Sequence, residues 1–167
     1  MLRRLFSITV LQGFFAVCLI WMALTMPATA ATKIDPYVLQ YLKASQPVEI
    51  PLNAAGDTKT FTPEQLSDGK RLFKTNCINC HVGGATLPNP IVSLSLSKLK
   101  GATPPRDTLE GMVAFMRHPM TYDGTEEAVL CREVPDSWLP QEPTENLAAF
   151  VLRAAEVARG WATARFE

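Results

Sequence analysis

The chain has 167 residues, of which 16 are basic and 16 acidic, so its formal net charge is zero. That balance excludes the basic footprint of a nucleic-acid binder and gives no pull towards a strongly acidic partner. The length is that of a single domain.

Arg3 and Arg4 form a short basic start, an almost uncharged apolar run follows from Leu5 to Met26, and Ala28-Thr29-Ala30 offers small residues for cleavage. This three-part layout reads as a secretory signal peptide over residues 1–30. A retained membrane anchor is the alternative, because the run is long enough to span a bilayer. The Ala-x-Ala site favours removal, which leaves residues 31–167 as one domain. Arg3 and Arg4 are lost with the leader, so that domain keeps 14 of the 16 basic and all 16 acidic residues. Cys18 goes too. Cys77, Cys80 and Cys131 remain, an odd number for a protein exported to an oxidising compartment.

In chain order, Asp35-Pro36 is a capping residue followed by proline at the first helical position, and predicts a short helix to Leu42. Val48, Ile50 and Leu52, then Thr58, Thr60 and Phe61, flank the turn-prone Ala54-Ala55-Gly56-Asp57 and predict a small hairpin. Thr62-Pro63-Glu64-Gln65 opens a helix to about Asn76, with Leu66, Gly69 and Phe73 on one face. The glycine admits a close neighbour, expected to be the Phe150 region of the last helix. Asp107 to Glu110 signals another start, Leu109, Val113 and Met116 make a stripe, and Pro119 ends the helix near Arg117 or His118. Thr144 is expected to open a final helix to about Arg159, with Leu147, Phe150, Val151 and Ala154 inward and Gly160 closing it. The stretches 82–106 and 119–143 are rich in proline and polar residues, and loops this long serve a site more often than not.

Cys77-Ile78-Asn79-Cys80-His81 carries the chemistry. Two thiols three residues apart on one helical turn reach the two vinyl groups of a single haem, and the adjacent histidine lies under the iron as an axial ligand. The pattern is the attachment signature of haem c. A redox disulfide is the first alternative, but it belongs to a βαβ unit that this chain lacks. The second is a zinc site completed by His118 and Cys131, which leaves His81 without a purpose.

The iron's other axial position decides the type of cytochrome, because Met, His and thiolate ligands set very different potentials. Met112 and Met116 read as helix packing, Met120 stands in a loop, and His118 suits a helix end where it meets the last carbonyls. Cys131 lies in the second long loop. It is either a buried free thiol acting as a small apolar residue or a thiolate ligand protected by iron.

The chain resembles the extrinsic cytochrome c-550 of cyanobacterial and algal photosystem II, the PsbV family. The resemblance covers roughly residues 48–130. It rests on Pro51-Leu52-Asn53 with Gly56, Gly69-Lys70-Arg71-Leu72-Phe73, the haem motif continued by Val82-Gly83-Gly84, Ala102-Thr103-Pro104-Pro105-Arg106-Asp107, Glu110-Gly111, and Pro119 with Thr121-Tyr122-Asp123-Gly124. It implies an all-α, class I cytochrome c fold with a short N-terminal β-hairpin and long haem-wrapping loops. It also implies one covalent haem c, a place in the thylakoid lumen peripheral to the membrane, and photosystem II lumenal subunits or a redox protein as partners. The family's second axial histidine follows the Tyr-Asp-Gly motif. This chain has no histidine after His118, and Cys131 falls within about one residue of that position, so the resemblance is to a divergent, c-550-like paralogue with His81 and Cys131 as ligands. Trp161 to Glu167 replace the family's glycine- and tyrosine-rich end, and surface contacts of that kind decide docking.

Three functions follow as expectations. The first is a low-potential c-550-like haem protein of photosystem II, the second a soluble lumenal electron carrier. The third, and least favoured, is a haem-thiolate enzyme or sensor handling sulfur, since scattered surface positions account for Arg106, Arg117 and Arg132 better than an anion site does.

Overall fold

The computed structural model describes residues 33–87 and 92–163. The expected leader over residues 1–30 lies outside the described residues. Helix α1 spans Pro36–Gln40, with the Asp35 carboxylate accepting from the Tyr37 amide at 2.8 Å and proline in the first turn. It stops two residues short of the expected end, at Tyr41. Strands β1 (Val48–Pro51) and β2 (Thr58–Phe61) pair antiparallel, Val48 opposite Phe61 and Pro51 opposite Thr58. The turn between them is held by the Asn53 side-chain oxygen, which accepts from the amides of Ala55 and Asp57. A two-stranded sheet is not stable alone in water. Ile50 and Phe61 anchor this one by reaching the common core.

Helix α2 spans Pro63–Asn76 and begins with the expected capping box: Thr62 accepts from the Gln65 amide, and Gln65 accepts from the Thr62 amide. A 3₁₀ turn at Val82–Gly84 follows the Cys77–His81 motif, and α3 occupies Leu96–Gly101. This helix falls inside the stretch read as loop. Ser93 to Ser97 alternates serine and leucine, a period-two pattern that masks a one-and-a-half-turn helix capped by the Ser95 hydroxyl. Helix α4 (Leu109–Arg117) is capped by Thr108, one residue after the expected Asp107, and ends at His118 before Pro119.

Helix α5 runs Gln141–Val157, opening three residues before Thr144. Thr144 is fully buried within the first turn, where its hydroxyl donates to the Leu139 and Pro140 carbonyls at 2.9 Å. Bonding backwards satisfies the hydroxyl inside a helix, so a threonine that looks like a cap is an interior residue. The helix closes at Ala158, ahead of Gly160. As expected, Leu147, Phe150, Val151 and Ala154 are buried. Helices α2 and α5 cross at Gly69, where a Cβ would lie 2.6 Å from the Asn146 carbonyl carbon and 2.9 Å from the Phe150 Cβ. The rings of Phe73 and Phe150 stand 5.4 Å apart beside the crossing. This pair is the rigid frame on which the motif is mounted.

A polar clamp ties α1 to α2. The Lys70 ammonium donates to both carboxylate oxygens of Asp35 at 2.7 Å, and the Asp35 amide donates to the Ser67 hydroxyl. Burial pushes the Asp35 carboxyl up, but Lys70 and the Tyr37 amide outweigh it and hold the group below its ordinary value. A carboxyl depressed in the folded state adds stability above its unfolded pKa and loses it as pH falls through the folded value. The urea midpoint is therefore expected to fall below about pH 4 by an amount that shrinks in Asp35→Asn. The clamp is a third exposed on each side, so its share stays within about 1 kcal/mol. Identical acid limbs in the two proteins would refute it.

Candidate functional site

The motif sits at the end of α2. Cys77 caps the helix, its amide donating to the Phe73 carbonyl at 2.9 Å. The Cys80 and His81 amides then both donate to the Cys77 carbonyl, at 3.1 and 2.9 Å, which folds the five residues into one tight turn. Neither Cys77, Cys80 nor Cys131 is in a disulfide. Burial, reinforced by Cys131 and Cys80 nearby, pushes the Cys77 thiol up to about 11. Burial lowers the pKa of His81, against the opposing bond to the Ala85 backbone, which favours the neutral imidazole, the form that binds metals. The Thr86 hydroxyl lies 3.1 Å from Nδ1 and orients the ring, leaving Nε2 for a metal.

Two largely apolar cavities, about 470 and 320 Å³, border this turn. Cys80, His81, Leu94, Met112, Phe115 and Cys131 wall both of them. The smaller adds Cys77 with Phe73, Met116 and Trp138, and the larger adds Met120, Tyr122 and Arg106. Among the candidates for the second axial position, Cys131 and Met112 therefore border both cavities. Met120 and Met116 border one each, and His118 borders neither. Met112, read as packing, is indeed buried, yet it is also a wall of the site. Cys131 reaches this place on the turn after Ala128, whose carbonyl accepts from the Cys131 amide at 3.3 Å. Its thiol is raised by burial, while Arg106 pulls the other way.

Arg106 corrects the expectation of a scattered surface arginine. It is 7% exposed, lies 3.9 Å over the Phe115 ring, and donates to the carbonyls of Met120 and Thr121. It thus fastens the loop before α4 to the loop after it and puts a buried positive charge beside Cys131. Arg117 donates to the Val134 and Leu139 carbonyls and pairs with Asp136. Arg132 stacks on Trp138. Arg106 is thus tied to the loops flanking α4, while Arg117 and Arg132 both engage the 134–139 segment.

A macrocycle fits these residues. The walls are apolar and aromatic, two thiols and one imidazole come from a single turn, and a third thiol borders the same space. The zinc alternative has no such support, for among the described residues no three His, Cys, Asp or Glu side chains gather as a metal cluster. Thr86, Arg106 and Phe115 were not singled out as site residues by sequence reading. Only Arg106 and its neighbours carried a signal, as part of a matching motif.

The cytochrome c-550 domain matches residues 40–167 of this chain. A cytochrome c-550-like protein of Thermosynechococcus vestitus is 56% identical over 154 residues, covering 92% of this chain and 88% of its own. The photosystem II extrinsic protein V of Gloeobacter violaceus is 52% identical over 138 residues, covering 83% and 74%. Among solved structures, the PsbV2 cytochrome of Thermosynechococcus elongatus is 62% identical, with a TM-score of 0.77 over 78% of this chain and 99% of that one. Cytochrome c549 is 33% identical, with a TM-score of 0.61 over 68% and 95%. The helical fold with its two-stranded hairpin, the Cys-x-x-Cys-His turn bordering two apolar cavities and these matches agree, and the chain belongs to the cytochrome c-550 family.

Proposed function

We propose that this protein is a monohaem electron-transfer cytochrome of the c-550 type, with no catalytic role of its own. In this reading residues 1–30 are removed on export to the thylakoid lumen, and residues 31–167 form a single domain. Cys77 and Cys80 hold haem c through thioether bonds, and His81 and Cys131 are the axial ligands. The observation that carries the reading is that His81 and Cys131, with Cys80, wall the same two largely apolar cavities, so these residues could hold one shared haem. Bound there, the haem supplies a one-electron couple, and thiolate ligation favours its ferric state.

The protein's own residues account for the rest. Thr86 orients His81, Arg106 offsets negative charge at Cys131, and Phe115, Met112 and Leu94 keep water from the space between. Thr86, Leu87, Val92, Ser93 and Leu94, with the segment 119–139, supply much of the two linings, consistent with loops that wrap the cofactor.

Association with photosystem II on its lumenal side is supported by the relatives named photosystem II extrinsic protein V. A soluble lumenal carrier is the second reading. It is favoured by Val129 and Leu130, 96% and 88% exposed at the cavity rim, which suit brief contact with a redox protein.

The deciding experiment expresses the chain in a host that matures c-type cytochromes. Haem that survives denaturing electrophoresis at one per chain, is lost when Cys77 and Cys80 are both serine, and co-sediments with photosystem II cores is the expected result. Covalent haem without co-sedimentation selects the soluble carrier. A chain that folds and carries no covalent haem ends the cytochrome reading.

A further inference from the structure

The residue after the motif that needs an outside support is glycine, twice. Gly83 and Gly84 both have positive φ, 56° and 82°. Glycine there has wide conformational freedom, so the turn that follows His81 holds its shape only if something restrains it. The restraint comes from the chain beyond α5. Gly84 lies flat against the Trp161 indole, so close that a Cβ on it would stand 2.6 Å from the indole Cδ2 and 2.7 Å from Nε1. The indole N–H donates to the Leu94 carbonyl at 2.9 Å, and the Leu94 amide donates to the Gly84 carbonyl at 2.8 Å. One residue on, the Ala162 amide donates to the Gly83 carbonyl at 2.6 Å, and Ala162 takes a left-handed φ of 61° to do so. A non-glycine residue in that region costs energy and persists only where its surroundings hold it.

The other side of the indole faces the rigid frame. Its ring centroid stands 5.5 Å from Phe73 of α2 and 5.8 Å, edge-on, from Phe150 of α5. Trp161 therefore joins the crossing of the two long helices to the Val82–Gly84 turn and to Leu94, which walls both cavities. The Gly84 amide in turn donates to the His81 carbonyl at 3.1 Å.

We infer that Trp161 is a positioning residue for the axial histidine, a strut that transmits the rigidity of the α2–α5 pair to the turn carrying His81. The inference rests on the haem reading, in that His81 is the group whose placement matters. It does not touch the iron or either thioether. It also gives Trp161 and Ala162, beyond α5, a role at the turn that carries His81.

The test uses the mature holoprotein with Trp161→Ala and Trp161→Phe. Amide hydrogen exchange is read at Gly84 and Leu94, with Leu147 in α5 as the control, alongside the ferric low-spin resonance. In Trp161→Ala, exchange at Gly84 and Leu94 is expected to speed up roughly tenfold or more, on the scale of one or two net hydrogen bonds. Leu147 should stay protected, and the resonance should broaden as the histidine samples several orientations. Trp161→Phe keeps the ring packing and lacks the donor, and should recover most of the resonance with Leu94 still exchanging fast. Unchanged exchange at Gly84 and Leu94, or equal loss at Leu147, overturns the strut. A wild-type protein whose iron is not histidine-ligated overturns the haem reading instead, and the exchange data still report on the strut.

Discussion

Cys131→Ser is expected to remove the thiolate signature of the ferric protein and raise its reduction potential. A serine hydroxyl keeps the volume of the thiol and is a poor ligand for haem iron, so the substitution isolates ligation from packing. Axial ligand identity spans about 0.8 V in haem proteins, and exchange of an anionic ligand for a neutral one moves the couple by on the order of 0.1 V or more. Burial raises the Cys131 thiol, so in the proposed ligation binding to iron would have to displace its proton, with the Arg106 charge helping to hold the anion. Met112 borders both cavities and Met120 the larger, which makes them the candidate replacement ligands. The substituted iron is therefore expected to be high-spin or methionine-ligated, and Cys131→Ser with Met112→Leu separates these cases. Low-temperature paramagnetic resonance and a potentiometric titration read the result. A low-spin signal and a potential unmoved by Cys131→Ser would remove Cys131 from the iron.

Gly69→Val is expected to destabilise the fold strongly. Two effects oppose each other at this position. Any side chain in place of glycine improves helix propensity, by up to about 1 kcal/mol for alanine and less for the β-branched valine. Against that, the first carbon added meets the Asn146 carbonyl group and the Phe150 Cβ at 2.6 and 2.9 Å. Those are backbone and Cβ atoms that no rotamer change can move. Helix α5 has to retreat from α2, and overpacking of this kind costs about 1–3 kcal/mol even where side chains can yield. Packing wins, with a net loss of about 3 kcal/mol or more and a melting temperature roughly 10 °C lower. Thermal unfolding followed by far-ultraviolet circular dichroism measures it. A shift within about 2 °C would mean that the helices part without cost. Gly69→Ala should fall between the two, because it adds the clashing carbon and gains the larger propensity.

Local grammar and short motifs were readable without coordinates. The capping box at Thr62 and Gln65, proline after Asp35, the hairpin turn at 54–57 and the inward face of the last helix all follow from neighbours a few residues apart. So does the grouping of Cys77, Cys80 and His81, which one turn of backbone brings together whatever the rest of the chain does. The family likeness was legible for a related reason, since its motifs are short stretches with fixed spacing.

What failed in reading depended on where an element begins or on what packs against a residue, neither of which a short motif carries. Thr144 looked like a cap because its carbonyl acceptors in Leu139 and Pro140 are only evident once the helix is seen to start earlier. Arg106 looked like a surface cation because nothing local shows Phe115 beneath it or the Met120 and Thr121 carbonyls around it. The sequence by itself determined the chemistry on offer, two adjacent thiols, one imidazole and one isolated cysteine. Tertiary structure alone decided which of these share a space, that Met112 joins them while His118 does not, and that Trp161 braces the glycine turn. The reason is physical: covalent spacing sets what one turn of backbone can present, whereas burial, charge neutralisation and contact across more than fifty residues arise only when the helices have packed.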